Sequence, residues 1–319
     1  MSSQAHQTAH HATIGATPER VYRIIAEVTQ WPRIFGPTVH AEVLETTGIA
    51  ERIRLWATAN GQVKTWVSVR ELDEENLRIR FSQEVSQHPV ASMSGEWILR
   101  PTPEGGTAVE LIHEFTAVDD RPANVQWIST AVENNSTAEL AALRRTAELP
   151  DDSLLLEFTD EVVVRAPGAE VYRFLYEAAQ WPERLPHVAR LELTEDVPGI
   201  QVMSMDTRTP DGSSHTTESI RVGFPDSLIV YKQTTVPALM TAHTGFWRLD
   251  ERPDGVVAVA GHTVVLKPDA VEAVLGRGKT VADARDYVRR ALGTNSSTTL
   301  RAAREHVEAR TAAALSGAE

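Results

Sequence analysis

Trp66, Ser68 and Arg70 alternate with two valines in the stretch WVSVR. In a strand, side chains point alternately to two faces, so these three share one face while Val67 and Val69 share the other. A guanidinium never loses its charge, and a hydroxyl beside it is a second donor. Such a face can stabilise negative charge that develops on an oxygen atom. The alternative places the valines in the core and Arg70 in water, and periodicity alone leaves both open.

Long-range self-similarity shows that the chain carries this arrangement twice. VYRIIAEVTQWP at 21–32 returns as VYRFLYEAAQWP at 171–182, SGEW returns as TGFW, and NSTAELAALR returns as NSSTTLRAAR. The second copy gains residues before its last helix. Repetition on this scale is larger than any solenoid repeat, so it predicts two copies of one domain, residues 1–149 and 154–319, joined by the short linker LPDDS.

Composition sets limits on the class of protein. The 319 residues suit two domains that each bury a core, and the absence of cysteine excludes disulfides, thiolate metal sites and a cysteine nucleophile. No apolar run approaches the roughly 20 residues of a membrane span, and no signal peptide is evident, so a cytoplasmic location is expected. The net charge of −13 argues against binding to nucleic acid or anionic membrane.

Within one copy the order of elements can be predicted. A first strand precedes a helix that Thr17 caps and Pro18 begins, and Trp31-Pro32 is expected to end that helix. Six strand-like stretches follow, and a long helix runs from about Arg121 to Glu148. The terminal helix is the only element long enough to cover the apolar face of such a sheet. The prediction is an α+β domain, a curved antiparallel seven-stranded sheet around a long C-terminal helix, with a cavity between them.

This order of elements resembles the helix-grip fold shared by START and Bet v 1-like proteins. Two tandem copies, with W-x-S-x-R at 66–70 and G-E-W at 95–97, resemble the di-domain aromatase/cyclases of bacterial type II polyketide synthases over essentially the whole chain. The resemblance implies aldol closure and dehydration of a poly-β-ketone, joining C7 to C12 of a C9-reduced chain. It implies an acyl carrier protein and other synthase subunits as partners, without nucleic acid, membrane, metal or cofactor.

The resemblance also gives roles to residues of the first copy. Arg70 would stabilise an enolate or alkoxide, and Ser68 would donate to a neighbouring carbonyl. The remaining expected substrate-binding side chains are Trp56, Trp66, Trp97, Phe35, Thr38, His113 and Asn135. Single-domain members often carry a tyrosine where Thr38 stands, so a phenol donor is not expected there.

The second copy keeps the polar residues of the first but not all of its aromatic ones. Its expected pocket residues are Arg221, Ser219, Trp247 and His262. Trp66 becomes Thr217 and Trp56 falls at Asp206, so two aromatic walls are expected to be lost. Ring closure is therefore assigned to the first copy. The second is left open between a later dehydration, a docking surface and structural support.

Several assignments stay open in the sequence. His113 and His262 could shuttle a proton or be structural, and Trp31 and Trp181 most simply pin the first helix to the sheet. Asn135 could lie near the cavity mouth or shape its helix. Arginines at 285, 289 and 290, or at 144 and 145, could meet an acidic carrier protein. The alternative function is a non-catalytic binding or transport protein for a hydrophobic small molecule or lipid.

Overall fold

The structure is a computed structural model that describes residues 4–149, 153–208 and 214–316, with side chains to 313. The chain divides into two compact units, Met1–Pro150 and Asp151–Glu319. Residues 150–152 of the expected linker lie outside the described residues. No helix in the described part of the chain is long and apolar enough to cross a membrane.

The N-terminal unit is one antiparallel sheet with a long helix packed against it. Its strands are β1 (His6–Ile14), β2 (Thr38–Thr47), β3 (Ala50–Ala59), β4 (Gln62–Asp73), β5 (Arg78–Val85), β6 (Val90–Pro101) and β7 (Thr107–Ala117). Its helices are α1 (Pro18–Ala26), α2 (Trp31–Ile34) and α3 (Pro122–Glu148). The strand order β1-β7-β6-β5-β4-β3-β2 confirms the predicted sheet and its single terminal helix.

The first helix begins as predicted but ends earlier. The Thr17 hydroxyl accepts a hydrogen bond from the Arg20 backbone N–H at 3.4 Å, and Pro18 occupies the first turn. The expectation that Trp31-Pro32 ends this helix is wrong, because α1 ends at Ala26 and Trp31 begins α2. Proline lacks a backbone N–H, which a helical first turn does not need, so Pro32 fits the start of α2.

The long helix α3 supplies the other side of the core. One stripe of it is buried, and that stripe comprises Ile128, Ala131, Val132, Ser136, Leu140, Ala142, Leu143 and Ala147. It packs against β1 and β7 at one edge of the sheet. Leu140 and Leu143 join an apolar cluster with Val21 and Ile25, so the C-terminal part of α3 also packs against α1.

The C-terminal unit repeats the architecture. Its strands are β8 (Leu155–Val164), β9 (Val188–Val197), β10 (Ile200–Arg208), β11 (Ser214–Phe224), β12 (Leu228–Thr235), β13 (Met240–Arg252) and β14 (Gly255–Leu266). Its helices are α4 (Gly168–Tyr176), α5 (Trp181–Arg184), α6 (Val271–Leu275) and α7 (Val281–Ser316). The order β8-β14-β13-β12-β11-β10-β9 is that of the first unit, and α6 lies in the predicted insertion before the last helix.

Candidate active sites

A cavity of about 180 Å³ lies between the sheet and α3 in the N-terminal unit. Trp66, Ser68 and Arg70 of β4 all line it, whereas Val67 and Val69 do not. The structure therefore selects the arrangement in which the tryptophan, serine and arginine face the interior of the sheet. Helix α3 contributes the opposite wall, including Asn135 and Ser136.

Arg70 lines this cavity and is fully buried, with 2% of its surface exposed. One Nη donates to the Ile25 carbonyl at 3.0 Å, and the other donates to the Ala26 carbonyl at 2.7 Å and to Glu51 at 2.6 Å. Its guanidinium carbon lies 5.4 Å from the ring centre of Trp31. Arg70 thus satisfies the last carbonyls of α1 while its charge is neutralised by Glu51.

These contacts leave part of the guanidinium available. Of its five N–H donors three are used, and Nε has no partner among the described residues. Burial lowers the pKa of Arg70 and Glu51 opposes the shift, so the group stays charged at neutral pH. A fixed charge with spare donors in a low-dielectric wall is suited to stabilising an oxyanion.

Polar side chains near Arg70 add further donors and acceptors. Ser68 is 3% exposed and Thr38, also lining the cavity, is equally buried. Asn135 lines the cavity too, but its amide nitrogen donates to the Thr58 carbonyl at 3.0 Å. That bond ties α3 to β3, so Asn135 both lines the cavity and anchors the helix that forms its opposite wall.

The aromatic lining differs from the prediction in two positions. Trp66 and Trp97 line the cavity as expected, but Trp56 and Phe35 do not. Trp56 lies on the face of β3 opposite the lining residues Leu55 and Ala57, and its ring rests 5.2 Å from that of His40. The expectation that Trp56 and Phe35 form cavity walls is therefore corrected.

Phe35 lies behind another aromatic residue. Its ring meets the ring of Trp31 edge-on at 5.4 Å, and Trp31 itself faces the cavity. The Trp31 indole donates to the Ile25 carbonyl at 3.1 Å, so it pins α1 and also forms a wall. Trp127 of α3 is a further lining residue that the sequence did not indicate.

His113 lines the cavity beside Phe81, whose ring it meets edge-on at 5.4 Å. Burial, with a smaller contribution from His10, lowers the pKa of His113 to about 4. The ring is therefore neutral at neutral pH, and its Nδ1 has no partner among the described residues. A neutral imidazole can accept a proton or pass one on, but it carries no charge into the site.

Glu139 is a cavity residue that sequence reasoning missed. It follows Asn135 by one turn on the same face of α3 and lines the cavity without a hydrogen bond to any described residue. Burial raises the pKa of Glu139 from 4.5 to about 7. A carboxyl that exists in both forms near neutral pH is a candidate general base and acid. The i, i+4 spacing from Asn135 was the available signal.

The C-terminal unit has a smaller cavity, of about 110 Å³. Arg221, Ser219, Trp247 and His262 all line it. The Arg221 Nη atoms donate to the Leu175 carbonyl at 2.6 Å and to the Gln201 side chain at 2.8 Å. Burial lowers the pKa of Arg221 to about 10, so it remains charged.

Sheet register gives the equivalence of the two arginines residue by residue. Arg70 pairs with Glu51 across β3 and β4, and Arg221 pairs with Gln201 across β10 and β11. An amide thus replaces the carboxylate beside the second arginine. Because Trp56 is not a wall of the first cavity, the aspartate at its equivalent position removes no wall from the second. The loss of two walls is corrected to one, at Thr217.

The arginines considered for docking are partly used within their own unit. Arg285 donates to the carbonyls of Ser153 at 2.9 Å and Leu155 at 2.6 Å. Arg289 forms an ion pair with Asp160 at 2.7 Å. These contacts fix α7 to β8, which reduces the charge that this cluster offers to a partner.

Comparison with known proteins bears on both units. Residues 5–148 match the family described as polyketide cyclase / dehydrase and lipid transport. The chain is 45% identical over 294 residues to the granaticin polyketide synthase bifunctional cyclase/dehydratase of Streptomyces virginiae, covering 91% of this chain and 96% of that protein. It is 44% identical over 307 residues to the actinorhodin polyketide synthase bifunctional cyclase/dehydratase of Streptomyces coelicolor, covering 93% and 95%.

Solved structures show the same two-domain architecture. The di-domain ARO/CYC BexL from the BE-7585A biosynthetic pathway superposes with a TM-score of 0.85 and 51% identity, over 95% of this chain and 99% of that one. The di-domain ARO/CYC StfQ from the steffimycin biosynthetic pathway gives a TM-score of 0.77 and 37% identity, over 96% and 99%.

Proposed function

We propose that the N-terminal cavity of this protein closes the first ring. The premise is that the chain belongs to the polyketide cyclase/dehydrase family and is an aromatase/cyclase enzyme of aromatic polyketide synthesis. The observation that carries the proposal is the buried, charged Arg70 in a cavity wall beside Ser68. An aldol closure needs an enolate carbon to attack a second carbonyl, and negative charge then moves to the oxygen of that carbonyl. The spare donors of Arg70 stabilise this charge.

Glu139 supplies the proton transfer that the closure requires. As a carboxylate it removes the acidic proton between two carbonyls of the chain, and as an acid it returns that proton to the new alkoxide. The proton count is then unchanged over the step. Its raised pKa, about 7, keeps both forms populated near neutral pH. Ser68 donates to a neighbouring carbonyl and holds it in register with Arg70.

Aromatic walls control which carbons meet. Trp66, Trp97 and Trp31 are flat, unreactive surfaces that limit how a flexible poly-β-ketone folds and that suit a planar product. The regiochemistry of C7–C12 closure on a C9-reduced chain is part of this proposal. Its support is the match to two-domain relatives along nearly the whole chain.

The proposed substrate reaches the enzyme on an acyl carrier protein, and other subunits of a type II polyketide synthase act beside it in the cytoplasm. Support for these partners comes from relatives named as parts of polyketide synthases. The non-catalytic carrier is set aside, because full-length relatives are named cyclase/dehydratases and because the cavity wall contains a charged arginine.

The test is reconstitution of a minimal polyketide synthase with a ketoreductase, with and without this protein, followed by identification of the products. The expected result is a single first-ring regiochemistry in place of a mixture of spontaneously cyclised products. An unchanged mixture would contradict the proposal. A regular product with a different pair of joined carbons would contradict only the C7–C12 assignment.

A further inference from the structure

Three ionisable side chains meet in the C-terminal cavity. The Tyr231 hydroxyl lies 3.0 Å from Nδ1 of His262 and 3.5 Å from Nε2 of His243, and those two nitrogens are 3.1 Å apart. All three residues line the cavity. His243 and His262 are 2% and 7% exposed, so the cluster is shielded from bulk solvent.

The first copy lacks this cluster, although its backbone is the same. Tyr231 pairs with Gly245 as Phe81 pairs with Gly95, so the tyrosine replaces a phenylalanine. His243 precedes Gly245 by two residues, which makes it the counterpart of Met93. Two residue differences therefore distinguish the apolar wall of the first cavity from the hydrogen-bonded group of the second, around the histidine that both copies share.

Gly245 gives Tyr231 its position. A Cβ added at Gly245 would lie 2.3 Å from the Tyr231 hydroxyl oxygen, so any side chain there would displace the phenol. Because Gly245 has no side chain, the Tyr231 ring packs directly over its backbone, and the hydroxyl reaches the two imidazoles. The absence of a side chain at Gly245 thus places the Tyr231 oxygen beside two ring nitrogens.

The protonation states of the cluster suit proton transfer without net charge. Burial raises the pKa of Tyr231, so its hydroxyl remains a donor at neutral pH. Burial, with Arg289 as a smaller cause, lowers the pKa of His262 to about 4, so its ring is neutral. Burial and His262 lower the pKa of His243 as well. Nε2 of His262 has no partner among the described residues.

We propose that the C-terminal cavity is a second catalytic site, which binds a cyclised β-hydroxy ketone and removes water from it through Tyr231 and His262. The inference rests on the proposed function, because ring closure must supply this substrate. Arg221 and Ser219, which line the same cavity, hold the ketone oxygen and stabilise the enolate.

The elimination is balanced in atoms and electrons. His262 accepts the proton from the carbon next to the ketone, and the electrons of that C–H bond form the new C=C bond. The C–O bond breaks, and the hydroxyl group leaves as water with the proton of Tyr231. The Nδ1 proton of His262 then passes to the Tyr231 oxygen at 3.0 Å, which restores the phenol and leaves His262 neutral as its Nε2–H tautomer. Proton exchange with the released water, taking a proton from Nε2 and returning one to Nδ1, resets the histidine. His243 is a positioning residue that orients this pair.

The test uses the full chain in the reconstituted synthase and follows the cyclised product that is one water heavier than the aromatic one. Tyr231→Phe introduces the phenylalanine of the first copy and should slow water loss about 10²-fold, at the low end of the range for general acid catalysis. The regiochemistry of ring closure should not change. Tyr287→Phe, the same change at a tyrosine that is 45% exposed, is the matched control.

His243 gives a second, independent variant. His243→Met copies the first unit and should also accumulate the hydrated product, while His243→Gln keeps a hydrogen-bonding group and should retain more of the dehydration rate. Normal dehydration in both Tyr231→Phe and His243→Met would overturn the inference. So would a loss of dehydration in His113→Phe alone, since that assigns the step to the first cavity. If the wild-type chain changes no product at all, the proposed function fails and the inference fails with it.

Discussion

The two cavities share a frame but differ in the ionisable groups that line them. Each has an arginine bound to the last carbonyls of its first helix, at Ile25 and Ala26 in one unit and at Leu175 in the other. The first cavity adds a carboxyl, Glu139, where the second has a threonine. The second adds Tyr231 and His243. We infer that the duplicated scaffold sets where negative charge is stabilised, while a few lining residues determine which reaction each cavity performs.

The largest effect is expected from exchanging the arginine for alanine in one cavity at a time. Arg70→Ala should reduce correct first-ring closure by about 10²–10³-fold, the usual loss when one oxyanion donor is removed. Arg221→Ala should leave regiochemistry unchanged and slow dehydration. The readout is the ratio of correctly cyclised product to spontaneous products, and Arg100→Ala, whose side chain is 56% exposed, is the control.

Because Arg70 also holds α1, its removal lowers stability, and circular dichroism and thermal unfolding must accompany the product ratio. Arg70→Lys separates the two roles, since a flexible point charge does not reproduce a planar fork and should rescue closure poorly. If Arg221→Ala abolishes ring closure and Arg70→Ala preserves it, the assignment of the cavities is reversed.

Glu139→Gln should slow ring closure by about 10²-fold, because it removes the carboxylate proposed as the base that forms the enolate. It should also change the pH dependence of stability. The pKa of Glu139 is raised by burial, from 4.5 to about 7, so the folded state binds a proton more tightly than the unfolded one. Wild-type stability should therefore fall between about pH 5 and pH 7, by on the order of 2 kcal/mol.

Glu139→Gln should lack this fall and be the more stable protein at pH 8, as measured by urea unfolding at several pH values. Arg70, His113 and Lys64 line the same cavity, but burial alone shifts the carboxyl. Equal pH slopes for wild type and variant would show that the carboxyl is solvated and would remove its proposed catalytic role.

A smaller effect is expected from Trp66, an aromatic wall that the second cavity lacks. Trp66→Thr copies Thr217 of the second unit. It should increase several-fold the fraction of products that come from a wrongly folded poly-β-ketone, with little loss in turnover, since the wall orients the substrate without contacting its developing charge. Trp56→Thr should leave the product ratio unchanged, because Trp56 lies on the other face of β3. Equal effects of the two substitutions would contradict the corrected assignment.

The smallest effect concerns the counter-charge of the arginine. Glu51→Gln copies Gln201 and should lower the free energy of unfolding by about 1 kcal/mol, since the amide keeps a hydrogen bond but not the ion pair. Thermal and urea unfolding measure this directly. The second unit shows that an amide is compatible with the buried arginine, so a loss of folding would contradict the equivalence of the two positions.

The sequence predicted the fold well because period and repetition are properties of the chain itself. The helix cap at Thr17, the strand alternation through Ser68 and Arg70 and the second copy were all visible in it. The sequence did not show which face of β3 lines the cavity, because Leu55, Trp56 and Ala57 are all apolar and either face satisfies the alternation. Which residues face the cavity depends on the packing of α3 against the sheet.

The missed residues share another cause. Taken alone, Glu139 is typical of a solvated helix face, and the strands that enclose it in the cavity are distant in the sequence. Tyr231 and His243 come from two neighbouring strands, and their meeting with the predicted His262 on the next strand depends on register. A comparison of the two copies position by position would have found both, since each of these residues departs from its counterpart in the other unit except His262.

The anchoring of each arginine has a consequence for how such a duplicated chain can diverge. A guanidinium that closes the last turn of a helix is retained for folding whether or not its cavity performs any reaction. After a duplication, selection for a stable chain therefore preserves in either copy a charged group already aimed into an enclosed space. A new activity then needs only neighbouring substitutions, and the presence of arginine in both halves is by itself no record of which half was catalytic first.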